Sequence, residues 1–127
     1  YLVEAIETAS PAVRLTMLYD RLELDLRRAD DGFEAGDLKA INDSLVHGQE
    51  ILTTLRTTLR ADVWEGAARL GTLYDFLHGE LLGANLAKDR ARMQAAAALI
   101  AQLATAWRQA ASTGADAREQ EPVGGPV

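Results

Sequence analysis

Two histidines lie near carboxylates at a spacing that metal sites in helical proteins use. His47 precedes Glu50 by three residues, and Asp75 precedes His78 by three residues. In di-iron helical bundles, carboxylates and histidines at this spacing project into the core and bind the metals. Here both pairs point away from the leucine positions of their own helices, since successive helical residues turn by about 100°. The sequence therefore predicts no metal site and two histidines that face solvent.

An exposed histidine on the second helix of a four-helix bundle is also typical of histidine phosphotransfer domains. Such domains need a free imidazole, a nearby lysine and a small residue that admits the partner. Gly48 supplies the small residue, but Glu50 occupies the position where a lysine is expected. Its carboxylate repels a phosphoryl group, which disfavours phosphate transfer at His47. The chain also has no glycine-rich phosphate loop and no strained serine elbow, so we expect no enzymatic activity.

The composition excludes further classes of site and partner. The 127 residues include no cysteine, which excludes disulfides, thiolate zinc sites and iron–sulfur clusters. The chain has 13 Lys and Arg against 19 Asp and Glu, a net charge of −6, and an acidic protein is a poor ligand for nucleic-acid phosphates. No segment has the ~20 consecutive apolar residues that cross a bilayer, and no signal peptide is visible. We therefore expect no cofactor, no nucleic acid, no membrane insertion and a cytoplasmic location.

Apolar residues recur at steps of three and four along most of the chain. Prolines occur only at positions 11, 122 and 126, so long helices are possible between them. Ser10 and Pro11 predict the N-cap and first residue of a helix. Further helix boundaries are expected at Gly36-Asp37, at Ala61-Asp62 and between Asn85 and Asp89. The pattern predicts an all-α, antiparallel up-down four-helix bundle.

The bundle is expected over residues 11–111. A short apolar arm, residues 1–10, precedes it, and a flexible, disordered tail, residues 112–127, follows it. The phase of the apolar stripes assigns six residues to the core: Leu18, Leu45, Leu52, Leu73, Leu77 and Trp107. The same phase leaves Tyr19 and Tyr74 open, because each tyrosine fits the core only if its hydroxyl finds a partner.

The chain carries more apolar surface than the core of one bundle needs. On the third helix a second stripe lies opposite the core stripe and includes Thr72, Phe76, Gly79, Gly83 and Leu86. Four threonines cluster near Ile51 on the second helix, and the fourth helix has no charge from residue 93 to residue 107. Incidental surface usage is one interpretation. The other is that an apolar segment of this chain, of a second copy or of a client lies along these faces.

Several short motifs in one order make the chain resemble the flagellin-specific export chaperone family, FliS. The resemblance extends from Tyr1 to about Ala110. It rests on Tyr1 followed by Thr8-Ala9-Ser10-Pro11, then Met17-Leu18-Tyr19-Asp20, Ala35-Gly36-Asp37, Leu73-Tyr74-Asp75-Phe76, Ala84-Asn85-Leu86 with Asp89, and finally Trp107.

The resemblance implies a cytosolic chaperone that works without ATP. Such a chaperone binds the C-terminal segment of newly made flagellin, prevents premature polymerisation and delivers flagellin to a component of the flagellar export gate. The resemblance also implies that the N-terminal arm covers apolar surface in the free state and moves when the client binds. We expect a monomer or weak homodimer.

From the surplus apolar faces and the resemblance together, we expect nine partner-binding residues: Tyr1, Ile6, Ile51, Thr54, Thr58, Phe76, Gly79, Gly83 and Leu86. The alternative function is a homo-oligomeric helical adaptor without a flagellar client, which would use the same faces for self-association.

Overall fold

A computed structural model describes residues 11–59 and 66–119 of the protein. Over these residues the chain forms four helices and no strand. They are α1 (Pro11–Ala35), α2 (Leu38–Thr57), α3 (Ala67–Ala87) and α4 (Arg90–Glu119). Helix α4 thus continues beyond residue 111, where we expected the bundle to end. No proline interrupts the chain between residues 112 and 119, so nothing in the backbone forces the helix to stop there.

The helices form a ring in which each one packs against two others. Helix α1 packs against α2 and α4, and α3 packs against the same two helices. Side-chain contacts give the directions of the helices. The last turns of α2 contact the first half of α3 through Arg56 and Asp75, and the start of α4 contacts the end of α1 through Arg90 and Asp30. Neighbouring helices are therefore antiparallel, which confirms the predicted up-down four-helix bundle.

Two tight turns reverse the chain at the same end of the bundle. Gly36 has φ +67° and ends α1, and Asp37 then caps α2 by accepting a 3.0 Å hydrogen bond from the backbone N–H of Ala40. At the other turn Lys88 takes the left-handed conformation with φ 51°, and Asp89 accepts a 3.1 Å hydrogen bond from the N–H of Arg92. These caps fix where α2 and α4 begin.

The core contains most of the residues that the apolar stripes placed there. Leu18, Leu45, Leu52 and Leu77 are buried, as predicted. Leu73 and Trp107 are only partly buried and pack against the edge of the core. These two residues therefore contribute to the core only from its margin, and the prediction for them holds in part.

The two tyrosines that the sequence left open lie in the core and are partners of each other. Tyr19 on α1 and Tyr74 on α3 are both almost fully buried, and their hydroxyl oxygens are 2.6 Å apart. Burial raises the pKa of the Tyr19 hydroxyl. Burial, and next the hydrogen bond with Tyr19, raises the pKa of the Tyr74 hydroxyl. This hydrogen bond pairs two buried polar groups across the centre of the bundle.

The raised tyrosine pKa values predict a loss of stability in alkaline solution. An unfolded tyrosine ionises near pH 10, whereas the folded pair keeps its protons to higher pH. Stability is therefore complete below about pH 10 and falls as pH rises above it, by up to about 1.4 kcal/mol per pH unit for each tyrosine. Denaturant unfolding across the alkaline range measures this slope.

The double substitution Tyr19→Phe with Tyr74→Phe is the informative variant. It removes the hydrogen bond between the two hydroxyls and also the acceptor of the Trp107 side chain, so we expect a loss of about 1 kcal/mol in stability at neutral pH. Above pH 10 its free energy of unfolding should fall less steeply than that of the unsubstituted protein. Equal slopes in the two proteins would contradict the burial of these hydroxyls as the cause.

Candidate functional site

The side of α3 that faces away from the core is apolar and exposed. We call it the outer face of α3, and it comprises Thr72, Phe76, Gly79, Leu82, Gly83 and Leu86. Phe76 is 52% exposed and Leu86 is 78% exposed. A Cβ atom added at Gly79 would meet no atom within 4 Å, so the helix backbone is open to solvent there. The predicted orientation of this second stripe is therefore correct.

Gly83 differs from Gly79 because a side chain of α4 lies over it. A Cβ atom added at Gly83 would overlap the guanidinium group of Arg92. Arg92 Nε donates a 2.8 Å hydrogen bond to Oε2 of Glu80, and Nη2 donates a 3.2 Å bond to Oε1. This contact lowers the pKa of Glu80 and raises that of Arg92. Gly83 thus lies beneath an ion pair that joins α3 to α4.

The adjoining side of α4 extends this surface and carries no further charge for four turns beyond Arg92. Ala95, Leu99 and Ala106 follow Arg92 at three, seven and fourteen residues, and therefore share its side of the helix, which faces α3. All three are exposed. No charged residue occurs on α4 between residues 93 and 107. The outer face of α3 and this side of α4 together form one elongated surface of low polarity.

On α2 the structure contradicts one predicted partner-binding residue. Ile51 is only 5% exposed and belongs to the core, so its assignment to a client surface was wrong. The physical reason is that α2 packs against both α1 and α3, which buries a wider arc of the helix than a single leucine stripe. Its buried residues are Ile41, Ser44, Leu45, Gly48, Ile51, Leu52 and Leu55.

The threonines of α2 find partners within their own helix. Thr54 is exposed, and its hydroxyl donates a 3.1 Å hydrogen bond to the carbonyl of Glu50. Thr58 forms the C-cap of α2, and its hydroxyl donates a 2.9 Å bond to the carbonyl of Leu55. These internal bonds satisfy the hydroxyls and leave the threonine methyl groups as the surface that a partner could contact.

An apolar pocket of about 410 Å³ opens at the end of the bundle where α1 begins. Pro11 and Thr58 lie at this pocket, and its apolar lining includes Leu15, Leu18, Leu55, Leu59, Leu70 and Trp107. The predicted arm residues Tyr1 and Ile6 lie outside the described residues. Pro11 at the pocket directly follows the arm in the chain.

A larger groove, of about 570 Å³, lies on the other side of the bundle between α1 and α4. Its lining is rich in charged residues, among them Arg27, Arg28 and Asp31. Ion pairs join the two helices near it: Arg90 binds Asp30 at 2.9 Å, and Arg108 binds Glu23 at 2.6 Å. Several ion pairs therefore join the helices on this side of the molecule, whereas among the described residues the Arg92–Glu80 pair alone joins α3 to α4.

The prediction that His47 faces solvent holds only in part, because its side chain is 38% exposed but also contacts a buried carboxylate. Its Nδ1 atom lies 2.5 Å from Oδ2 of Asp25, a carboxylate on α1 that is only 2% exposed. Arg21 approaches the other carboxylate oxygen at 3.5 Å. Asp25 follows Leu22 by three residues and thus falls at a core position of α1, a signal that the sequence contains. In the described part of the chain, no three His, Asp or Glu side chains are grouped to hold a metal ion.

A second buried polar contact explains the Ala84-Asn85-Leu86 motif structurally. Asn85 is buried at the end of α3, and its Nδ2 atom donates a 2.9 Å hydrogen bond to Oδ1 of Asn42 on α2. The Lys88 ammonium group donates a hydrogen bond to Oδ1 of Asn85. The motif therefore ties α3 to α2 beside the turn, while its leucine lies on the outer face of α3.

Comparison with known proteins identifies relatives along nearly the whole chain. Residues 1–114 match the family described as "Flagellar protein FliS". The flagellar secretion chaperone FliS of Bacillus subtilis (strain 168) is 28% identical over 110 residues, which cover 87% of this chain and 82% of that protein. The protein of the same name from Salmonella typhimurium is 33% identical over 107 residues, which cover 83% of this chain and 79% of that protein. None of the described helices is long and apolar enough to cross a membrane.

The contact between His47 and Asp25 predicts that the two histidines differ in their effect on stability. His47→Ala removes a hydrogen-bond partner from a buried carboxylate, so we expect a loss of about 1–3 kcal/mol in the free energy of unfolding. His78→Ala is the matched control on α3, where we expect a change within about 0.5 kcal/mol. Denaturant unfolding of both variants gives the comparison.

A double-mutant cycle identifies the partner. In an Asp25→Asn background the charge is gone, so His47→Ala should cost less than it does with Asp25 present. Equal costs in both backgrounds, or equal costs for the two histidines, would mean that the buried carboxylate does not depend on His47.

Proposed function

Because the chain belongs to the FliS family of flagellar secretion chaperones, we propose that it binds the C-terminal segment of flagellin in the cytoplasm. Binding keeps flagellin from polymerising prematurely, and the complex delivers flagellin to a component of the flagellar export gate. The protein acts by sequestering its client and has no catalytic role. FliS is a family of chaperones, and the two named relatives are both flagellar secretion chaperones.

The observation that carries this proposal is the exposed outer face of α3. Bundle helices ordinarily place charged side chains opposite the core, whereas this face presents Phe76 and Leu86 with glycine between them. Such a surface favours a partner that brings its own apolar residues. A disordered client segment that folds as a helix or an extended strand along the groove would bury apolar area on both molecules.

The client contacts that we propose lie in two places. Phe76, Gly79, Gly83 and Leu86 form the first, along the outer face of α3. The second is the apolar pocket at the start of α1, where Thr58 lies at the pocket, Thr54 lies about one turn before it on α2, and the arm with Tyr1 and Ile6 lies nearby in the chain. The arm would cover this pocket in the free protein and leave it when the client binds.

Phe76→Ala tests the proposed client surface directly. Its ring is half exposed, so its removal should lower the free energy of unfolding by less than about 1 kcal/mol. Loss of an aromatic anchor should weaken binding of a flagellin C-terminal peptide at least tenfold, about 1.4 kcal/mol. Calorimetric titration of the folded variant measures this change.

Leu38→Ala is the matched control for Phe76→Ala. Leu38 is equally a large exposed apolar residue, but it begins α2 and lies off the outer face of α3. We expect it to leave peptide affinity unchanged. Equal effects of the two variants would argue against this face as the client site. A protein that binds no peptide, but whose dimers dissociate with Phe76→Ala in light scattering, would instead support the self-associating adaptor.

Gly79→Arg tests close approach of the client backbone. The position is open, so an arginine should fit without disturbing the free bundle and should favour the helix by up to about 1 kcal/mol relative to glycine. The added side chain holds any client backbone several ångströms away, so we expect peptide affinity to fall at least tenfold. Calorimetry, with circular dichroism of the free protein, measures both effects.

Ala35→Arg places the same side chain at an exposed position at the end of α1 and should not change peptide affinity. If Gly79→Arg binds as tightly as this control, the client does not lie along the middle of α3. An unfolded Gly79→Arg variant would mean that residue 79 faces the interior of the bundle.

A further inference from the structure

The glycines within α3 meet different surroundings. Gly71 lies beneath the guanidinium group of Arg56 from α2, and Gly83 lies beneath that of Arg92 from α4. In each case an acidic residue of α3 close to the glycine holds the arginine: Asp75 in the first and Glu80 in the second. Gly79, between them, is open. Because glycine has no side chain, a flat guanidinium group can rest against the helix backbone at both covered positions.

Position distinguishes the two covered glycines. Gly71 is buried on the side of α3 that packs against α2, so its arginine closes a contact within the bundle. Gly83 belongs to the outer face of α3, four residues after the open Gly79 and three before the exposed Leu86. Arg92 therefore lies across the uncharged surface that α3 and α4 otherwise share, and it interrupts that surface near the end of α3.

The contact over Gly83 is built so that it can open. The side chain of Arg92 is 40% exposed and that of Glu80 is 25% exposed, so both groups can be hydrated without moving the helices. An ion pair in this setting contributes little to stability. The backbone of Arg92 is held separately by Asp89 at the start of α4, which means that the side chain can swing away while the helix stays in place.

We propose that the Arg92–Glu80 pair is a displaceable cover over Gly83, and that the client segment takes the place of the guanidinium group when it binds. This inference rests on the proposed function, since it describes how the same surface is regulated. In the free protein the cover shields backbone and shortens the apolar groove. In the complex the groove runs unbroken from Phe76 past Gly79 and Gly83 to Leu86.

The test compares variants that remove the ion pair with one that places a side chain at Gly83, where the guanidinium group lies. Arg92→Ala and Glu80→Gln each break the pair, so client binding no longer has to displace it. In calorimetric titration with a flagellin C-terminal peptide, both should bind about twofold to fivefold more tightly than the unsubstituted protein, the range that an exposed ion pair allows. Gly83→Ala expels the guanidinium group but puts a methyl group in its place, so it should bind at least threefold more weakly.

Arg108→Ala is the matched control. It removes an arginine of α4 that also contacts two carboxylates, Asp20 and Glu23, but on the side of α4 that faces α1. Its peptide affinity should equal that of the unsubstituted protein. Raising the salt concentration provides a further readout. Salt weakens the exposed pair, so affinity should increase more in the unsubstituted protein than in Arg92→Ala.

Three results would contradict the proposal that Arg92 is a displaceable cover. Unchanged affinity in both Arg92→Ala and Glu80→Gln would mean that the pair stays closed in the complex. Weaker binding by Arg92→Ala with tighter binding by Glu80→Gln would make Arg92 a direct ligand of the client. Unchanged affinity in Gly83→Ala would mean that the client does not take the place of the guanidinium group. Failure of the proposed function is seen separately, as no peptide binding by the unsubstituted protein, and it removes the role of the cover as well.

Discussion

The close approach of three helices at Gly48 is the constraint on which the rest of the bundle depends. A Cβ atom added there would lie 3.3 Å from a methyl carbon of Leu81 on α3 and 3.4 Å from one of Leu22 on α1. Without a side chain at this point α2 lies deep between its neighbours, and it buries residues on both flanks, including Ile51. This packing also fixes the orientation of α3 about its own axis, and hence which of its residues face the core. With Leu77 and Leu81 turned inward, Phe76 and Leu86 must face solvent.

The spacing of apolar residues along the chain was enough to predict the architecture. The local signals were apolar residues at steps of three and four, glycine at the first turn and proline at the start of α1. Each of them depends only on the helix in which it occurs. The errors arose where the answer depends on a second helix. His47 faces away from the leucines of α2, but it meets Asp25, which occupies a core position on α1. Tyr19 and Tyr74 are 55 residues apart in the chain, so no local pattern could predict that their hydroxyls bind each other.

The candidate surface could be predicted only in part for the same reason. Helical phase alone placed Phe76, Gly79 and Leu86 opposite the core, and the described residues leave all three exposed. The covering of Gly83 could not be predicted, because it requires the distance between α3 and α4 and the direction of a long arginine side chain. Glycine in the middle of a helix indicates a close approach. It does not reveal whether a partner or the chain itself makes that approach.

Ion pairs are distributed unequally between the helix–helix interfaces, or seams, of the bundle. The seam between α1 and α4 is joined along its length by Arg90 and Arg108, each of which contacts two carboxylates of α1. Within the described residues, the seam between α3 and α4 has one such pair, and that pair lies over a glycine. An unbroken apolar groove would raise the risk of self-association, and Arg92 interrupts the groove at Gly83 while Phe76 and Leu86 stay exposed. An apolar cover would lower that risk but would compete strongly with the client. A guanidinium group suits the position better, since its flat face lies against the backbone while its charge stays hydrated and its acidic partner holds it only weakly.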